Sequence, residues 1–343
     1  MTESTKPTVS LVDVATYLPE NRVPAEWYTN QSDADTDMRD HPMFSPPEYR
    51  HHTALDESNV DIMERAALEL ADRHGQGTLA DVDILLTHSQ MPDLPIVGAG
   101  GEIASRLGMT PELIIDVHNG GCAAFPYMIN LARRMLQSGD GRTAMIACAA
   151  TSAGKVFEQD HVRKLAQASV PGDAAAVGLL TLSDASPVLD VEARFYGQNA
   201  KDMTLETDPP RRWWQAGPGE GHVGFNEGKI MKVLSRGNRM VPEVVQAVCD
   251  RIGRKSKDLD LLLTNQPNRL LLRNWAEALE LPRERHRDTF GECGNIFAVG
   301  IPVSFEAAIK DGQVKAGDIV MMAGFAHAGD FAAAAAIQWG GRN

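Results

Sequence analysis

The stretch IIDVHNGGCAAFPYMINLARRMLQSGDGRTAMIACAA, residues 114–150, holds the pattern from which the rest of the chain can be read. An aliphatic run ends in a Gly–Gly turn, a helical stretch follows to Ser138–Gly139, and a second apolar run, MIACAA, succeeds it. Short aliphatic runs bounded by turn residues read as buried strands, and Gly after the last periodic residue suits a left-handed helix cap. Residues 287–325, RDTFGECGNIFAVGIPVSFEAAIKDGQVKAGDIVMMAGF, repeat that order, close their helix at Asp311–Gly312, and place Asn295 where the first copy has Cys122. A further pair, DVDILLTHSQ at 81–90 and DLDLLLTNQP at 258–267, shares an Asp-x-Asp opening, an aliphatic run, then Thr and a polar cluster. Such self-similarity predicts a duplicated α/β body with parallel strands covered by helices. Two βα-rich halves, 1–185 and 186–343, are expected to pack as one body, with VPGDAAAVGLLTLSD (170–184) as the last strand pair of the first. The stretch 203–229, MTLETDPPRRWWQAGPGEGHVGFNEGK, has neither helical nor strand period and reads as a long ordered loop, a type that is often functional.

Composition narrows the class. The 343 residues carry 33 Lys+Arg against 46 Asp+Glu, a formal charge of −13 and a pI near 5.2. That balance lacks the basic face of a nucleic-acid-binding domain, so no nucleic-acid partner is expected. An apolar share of 43% and a mean hydropathy of −0.24 fit a soluble globular chain. No apolar run approaches the roughly 18 residues of a membrane span. The opening residues, MTESTKPTVSLVDV, show no basic segment followed by an apolar one, so a cytoplasmic location is expected. Four cysteines, at 122, 148, 249 and 293, make neither a disulfide scaffold nor a CxxC pair, and no metal is expected. Gly98-x-Gly100-Gly101 precedes a helix but lacks the dinucleotide spacing and the later acid.

Cys122 is the most informative residue. It stands between a strand, Leu113 to Val117, and a helix expected to begin near Ala123. A thiol at a helix start meets unpaired backbone N–H groups and the positive end of the dipole, which favour a reactive thiolate below the free value of about 8.5. Such a thiolate is a nucleophile for thioester exchange. Cys148, Cys249 and Cys293 read instead as buried, inert core residues.

On these motifs the chain resembles ketoacyl-ACP synthase III, a thiolase-fold condensing enzyme. The resemblance runs from ATYLPENRVP (15–24) through DVHNGGCAAF (116–125), PGDAAA (171–176) and FNEGKIMKVL (225–234) to GNIFAVGIP (294–302). It implies a thiolase-like fold of five layers, α-β-α-β-α. It also implies a homodimer, no bound cofactor, and an acyl-CoA or phosphopantetheinyl acyl carrier protein as substrate. By resemblance Cys122 takes the acyl group, Asn295 is the site Asn, and the backbone N–H groups of Cys122 and the C-terminal turn hold the thioester oxygen. That last role is electrostatic preorganisation.

Two departures from the family pattern decide the expected chemistry. The family His, thirty residues before the Asn, is here Asn265, in Asn265–Gln266–Pro267–Asn268. An Asn amide donates a hydrogen bond but does not titrate. The Gly-rich turn is replaced by Gly324–Phe325–Ala326–His327–Ala328–Gly329–Asp330, so His327 is expected as a base with Asp330 orienting it. His88, the repeat-mate of Asn265, is a possible supporting residue; His118 and His222 rank lower. The family Trp that stacks on CoA adenine is missing from 41–57. Arg50, His51 and His52 are alternative phosphate contacts there, while Arg211, Arg212, Trp213 and Trp214 are expected at the donor arm.

The leading expectation is acyl transfer through Cys122 onto an oxygen, nitrogen or sulfur nucleophile, in a specialised biosynthetic pathway. The alternatives are decarboxylative condensation with a malonyl thioester, held by Asn265 and Asn295, and a non-catalytic partner subunit of an active homologue.

Overall fold

The computed structural model describes residues 6–34, 36–94, 97–207, 209–212, 215, 217 and 219–342. Two five-stranded sheets form from strands that lie within 9–182 and within 188–338. The first runs in the order Val9–Tyr17, Ala174–Leu182, Thr143–Ala150, Ile84–Ser89, Leu113–Asp116. The second runs Val188–Phe195, Phe331–Gln338, Ile319–Ala326, Leu261–Thr264, His286–Arg287. In each, the outer three strands away from the start of the half are parallel, and the two nearest it are antiparallel. The two orders are the same when the copies are superposed, as the duplicated sequence requires. One detail differs from the sequence reading: 170–184 holds a single strand, because the first half's opening strand supplies its partner.

Layering follows from which faces are apolar. Helices Asn59–His74 and Gly100–Arg106 cover the outer face of the first sheet, with Ile62, Met63 and Leu70 packed on Leu85 and Val177. Helices Ala124–Ser138 and Gly300–Lys310 fill the space between the sheets. Helices Glu227–Arg251 and Arg269–Ala278 cover the outside of the second sheet. The strand FAAAAAIQ shows how this works: Ala332, Ala334 and Ala336 face the outer helices, while Ala335 and Ile337 face the inner ones. Side chains alternate between faces along a strand, and alanines let helices approach on both. The predicted left-handed closures are present, at Gly139 (φ 98°) and Gly312 (φ 65°).

The described residues of 203–229 hold two short strands where the sequence reading expected an ordered loop without strand period. Leu205–Thr207 pairs antiparallel with Gly221–Val223, and a helix starts at Glu227 with Asn226 capping Lys229 N. Its strands are three residues each, too short to show a period.

Candidate active site

Duplication brings the ends of corresponding strands together between the sheets, and the chemistry-bearing residues gather there. Cys122 sits in a 3-10 turn, Gly121–Ala123, that leads into the helix Ala124–Ser138. Gly121 has φ +47°, in the left-handed region; a Cβ there would stand 2.8 Å from Ala326 Cβ and 3.0 Å from His327 Nε2. The His327 ring therefore lies over the cysteine loop with its Nε2 edge toward it. A Cβ at Gly324 would similarly stand 3.1 Å from Cys122 O and from Asn265 Oδ1, so the hairpin backbone and the cysteine loop touch directly.

The hairpin turn holds His327 in place. Its backbone is left-handed, φ 52°, a conformation costing about 1–3 kcal/mol unless the surroundings impose it. Asp330 Oδ1 accepts from His327 Nδ1 at 2.9 Å, Asn199 Nδ2 donates to Gly329 O at 2.5 Å, and Arg236 donates to Ala328 O at 2.8 Å. Arg236 is in turn paired with Asp202 at 2.7 Å. The Asp330 bond fixes the proton on Nδ1 and leaves the Nε2 lone pair facing the cysteine loop. Asn199 and Arg236 were not legible in the sequence, because nothing in their spacing links them to a turn about 90 to 130 residues later.

A cavity of about 250 Å³ opens on these groups, and Cys122, Asn265, Asn295 and His327 all line it. Asn265 Oδ1 accepts from Phe325 N at 3.3 Å, while its Nδ2 is buried with no protein partner. Asn268, in the same motif, instead caps the following helix at Leu271 N, and Gln266 knits Thr289, Gly300 and Ser304. Asn295 is clamped by its backbone, donating to Val170 O and accepting from Gly172 N, and its Oδ1 accepts from Phe297 N. Asp330 stands behind His327.

The electrostatics of Cys122 reverse the sequence expectation. Burial pushes its thiol up to about 12, against the pull of its own backbone N–H, and the Asp330 carboxylate adds to the rise. Desolvation of the charged form outweighs the helix start here, and a 3-10 turn separates the thiol from the first helical residue. A neutral thiol in this place needs a base. Cys148, Cys249 and Cys293 are buried away from the cavity, as expected of core residues.

The other sequence-selected residues lie elsewhere. His88 is buried outside the cavity lining and donates from Nδ1 to Val117 O at 2.7 Å, just ahead of the cysteine loop. His118 is exposed, and His222 lies in the short ribbon beside His161. Arg50 is fully buried over the Tyr28 ring, His51 bonds Pro19 O, and His52 pairs with Glu158 at 2.7 Å, so this segment is structural and not a phosphate-binding surface. Arg211 directs its guanidinium to the carbonyls of Gln215, Gly217 and Gly219, bracing its own loop. Arg212 N donates to Gln215 Oε1, and Trp213 and Trp214 lie outside the described residues.

Burial also sets an acid limit on the fold. It holds His88 and His286 down to about 4, below the ordinary value of 6.5. The unfolded chain then binds more protons than the folded one between about pH 6.5 and 4, so stability falls as the pH drops through that window. Each histidine contributes on the order of 2–3 kcal/mol to the loss. Urea melts at pH 7 and pH 4.5 should show it, and a His286→Gln variant with an unchanged pH slope would refute it.

Residues 115–197 match the family described as 3-oxoacyl-[acyl-carrier-protein (ACP)] synthase III, and residues 249–339 match its C-terminal family. The chain belongs to the ketoacyl-ACP synthase III family. Among similar proteins, the beta-ketoacyl-[acyl-carrier-protein] synthase III of Thermosynechococcus vestitus is 26% identical over 298 residues, covering 84% of this chain and 86% of that one. The solved synthase III of Thermus thermophilus superposes with a TM-score of 0.83 at 21% identity, covering 97% and 99% of the two chains. OleA of Xanthomonas campestris, solved with cerulenin bound, gives 0.79 at 18% identity over 97% of each chain. These structures share the thiolase fold with this synthase III-like chain. Among the described residues, no helix is long and apolar enough to cross a membrane, and no cluster of His, Cys, Asp and Glu could hold a metal ion.

Proposed function

We propose that this family member is an acyltransferase that loads an acyl group from a CoA or carrier-protein thioester onto Cys122 and passes it to an oxygen, nitrogen or sulfur nucleophile. The observation that carries the reading is the His327 ring over the cysteine loop, its Nδ1 held by Asp330, in a site whose other family position is Asn265. In the first step Nε2 takes the Cys122 proton and the sulfur attacks the thioester carbonyl carbon. The carbon–sulfur bond to the donor then breaks, and the donor leaves as a thiol carrying that proton. In the second step Nε2 takes the acceptor's proton, the acceptor attacks the acyl carbon, and Cys122 leaves and is reprotonated. Asn265 Nδ2 and the backbone N–H groups of Cys122 and His327 stabilise the oxygen that becomes negative in each step.

Three further assignments go with this reading. No metal or bound cofactor takes part. The enzyme is a homodimer: Leu113, Ile114 and Ile115 on the sheet's edge strand are 36–41% exposed, and an edge of apolar residues left open is a pairing surface. It serves a specialised pathway in the cytoplasm.

Intact-protein mass spectrometry with a panel of acyl-CoA and carrier-protein thioesters tests the proposal. Wild type should gain one acyl mass, and Cys122→Ala should gain none. No gain with any donor would favour the non-catalytic partner reading instead. Condensation, the second catalytic reading, has in its favour that Asn265 and Asn295 line the same cavity, and carbon dioxide release from a malonyl donor would identify it.

A further inference from the structure

The turn that carries His327 is braced from outside its own hairpin. Within the turn, Gly329 N donates to Ala326 O at 3.0 Å. One bond of this kind leaves the left-handed backbone of His327, φ 52°, to be imposed by the surroundings. Each carbonyl that follows His327 accepts from another segment: Ala328 O from Arg236, Gly329 O from Asn199, and Asp330 O from Tyr196 N at 2.7 Å.

Arg236 meets the turn in two ways. Its stem packs against Gly329, where a Cβ would stand 2.7 Å from Arg236 Cβ and Cδ. Its Nη1 donates to Ala328 O at 2.8 Å and to Asp202 Oδ2 at 2.7 Å, so the carboxylate fixes the direction of the guanidinium. Asp202 N donates to Asn199 O at 3.0 Å, which joins the Arg236 and Asn199 braces into one unit. Arg236, Asp202 and Asn199 are not among the described residues lining the cavity, whereas Met203, next to Asp202, is. Any influence of the brace on acyl transfer thus reaches the cavity through the turn or through Met203. The first route alters the chemical step, the second the binding of the acyl group.

We infer that Arg236, oriented by Asp202, is a positioning residue for acyl transfer: through Ala328 O and Gly329 it holds the His327 ring over the cysteine loop. The inference rests on the acyl-transfer reading with His327 as base.

The test measures Cys122 acylation over a range of donor concentrations, with whichever of acetyl-, butanoyl-, hexanoyl- and octanoyl-CoA loads wild type fastest. In Arg236→Gln the rate at saturating donor should fall at least about tenfold, while the half-saturating concentration moves less than about threefold. In the His327→Ala background the same substitution should change the rate less than about twofold, because the group it positions is gone. The alkaline pH profile of Arg236→Gln should steepen toward that of His327→Ala. Arg236→Lys keeps a cation beside Asp202 and should recover part of the loss. Thermal melts check that each variant is folded. Should Arg236→Gln not fold, Asp202→Asn takes its place, with an expected fall of about threefold. An unchanged rate, a change confined to half-saturation, or an equal loss in the His327→Ala background would overturn the inference and leave acyl transfer standing. Equal rates in wild type and His327→Ala, or no loading by any thioester, would overturn the reading beneath it as well.

Discussion

His327→Ala is expected to slow acylation of Cys122 by about 10²–10⁴-fold at pH 7, the range for loss of a positioned general base. The reason lies in the thiol. With desolvation holding it well above the ordinary thiol value, little of it is thiolate at pH 7, so the proton must be removed as the sulfur attacks. In the variant, hydroxide has to do this, and the acylation rate should rise about tenfold per pH unit through the alkaline range. Wild type should show a much shallower alkaline slope. Stopped-flow acylation from pH 6 to 10, read by quenched mass spectrometry, measures both curves. Equal rates at pH 7, or parallel pH profiles, would remove His327 from the mechanism. Ala keeps a Cβ in the left-handed turn position and loses the Asp330 bond, so the melting temperature should fall slightly while the fold survives.

Gly121→Ala should have the next largest effect, through geometry. The residue has φ +47°, where an L side chain is strained by about 1 kcal/mol. Its new Cβ would also need the 2.8 Å occupied by Ala326 Cβ and the 3.0 Å occupied by His327 Nε2. Ala326 lies in a fully buried strand, so the imidazole and the cysteine loop must yield. A displacement near 1 Å between reacting groups costs on the order of 10²-fold in rate. Acylation should therefore fall by about that factor while the fold survives with a reduced melting temperature. A variant that acylates at the wild-type rate would show that the ring over Gly121 is not the base.

Much of the architecture is legible in the chain. The repeated strand–Gly–helix order implies the duplication, and the matching strand orders of the two sheets follow from it. The pairing of Cys122 with Asn295, and the absence of a His at Asn265, are also visible, since both rest on residue identity and spacing. The departures share one cause. The 170–184 segment reads as a strand pair because its true partner, Val9–Tyr17, lies more than 150 residues away. Arg211 reads as a donor contact although its guanidinium braces its own loop, a choice made by backbone carbonyls that have no sequence signature.

The sequence by itself determined the fold class, the place of Cys122 at a Gly–Gly turn, and the presence of Asn265 and His327 in the two segments proposed for the site. Those are local properties: periodicity, turn chemistry and residue type. Only the tertiary structure decided the surroundings of Cys122, the proposed nucleophile. Folding part-buried Cys122 at the cavity wall, and desolvation there raises its pKa where the helix start alone would lower it. It also laid the His327 ring across Gly121. Desolvation and contact depend on atoms from distant parts of the chain, so they exist only once the two halves have closed on each other.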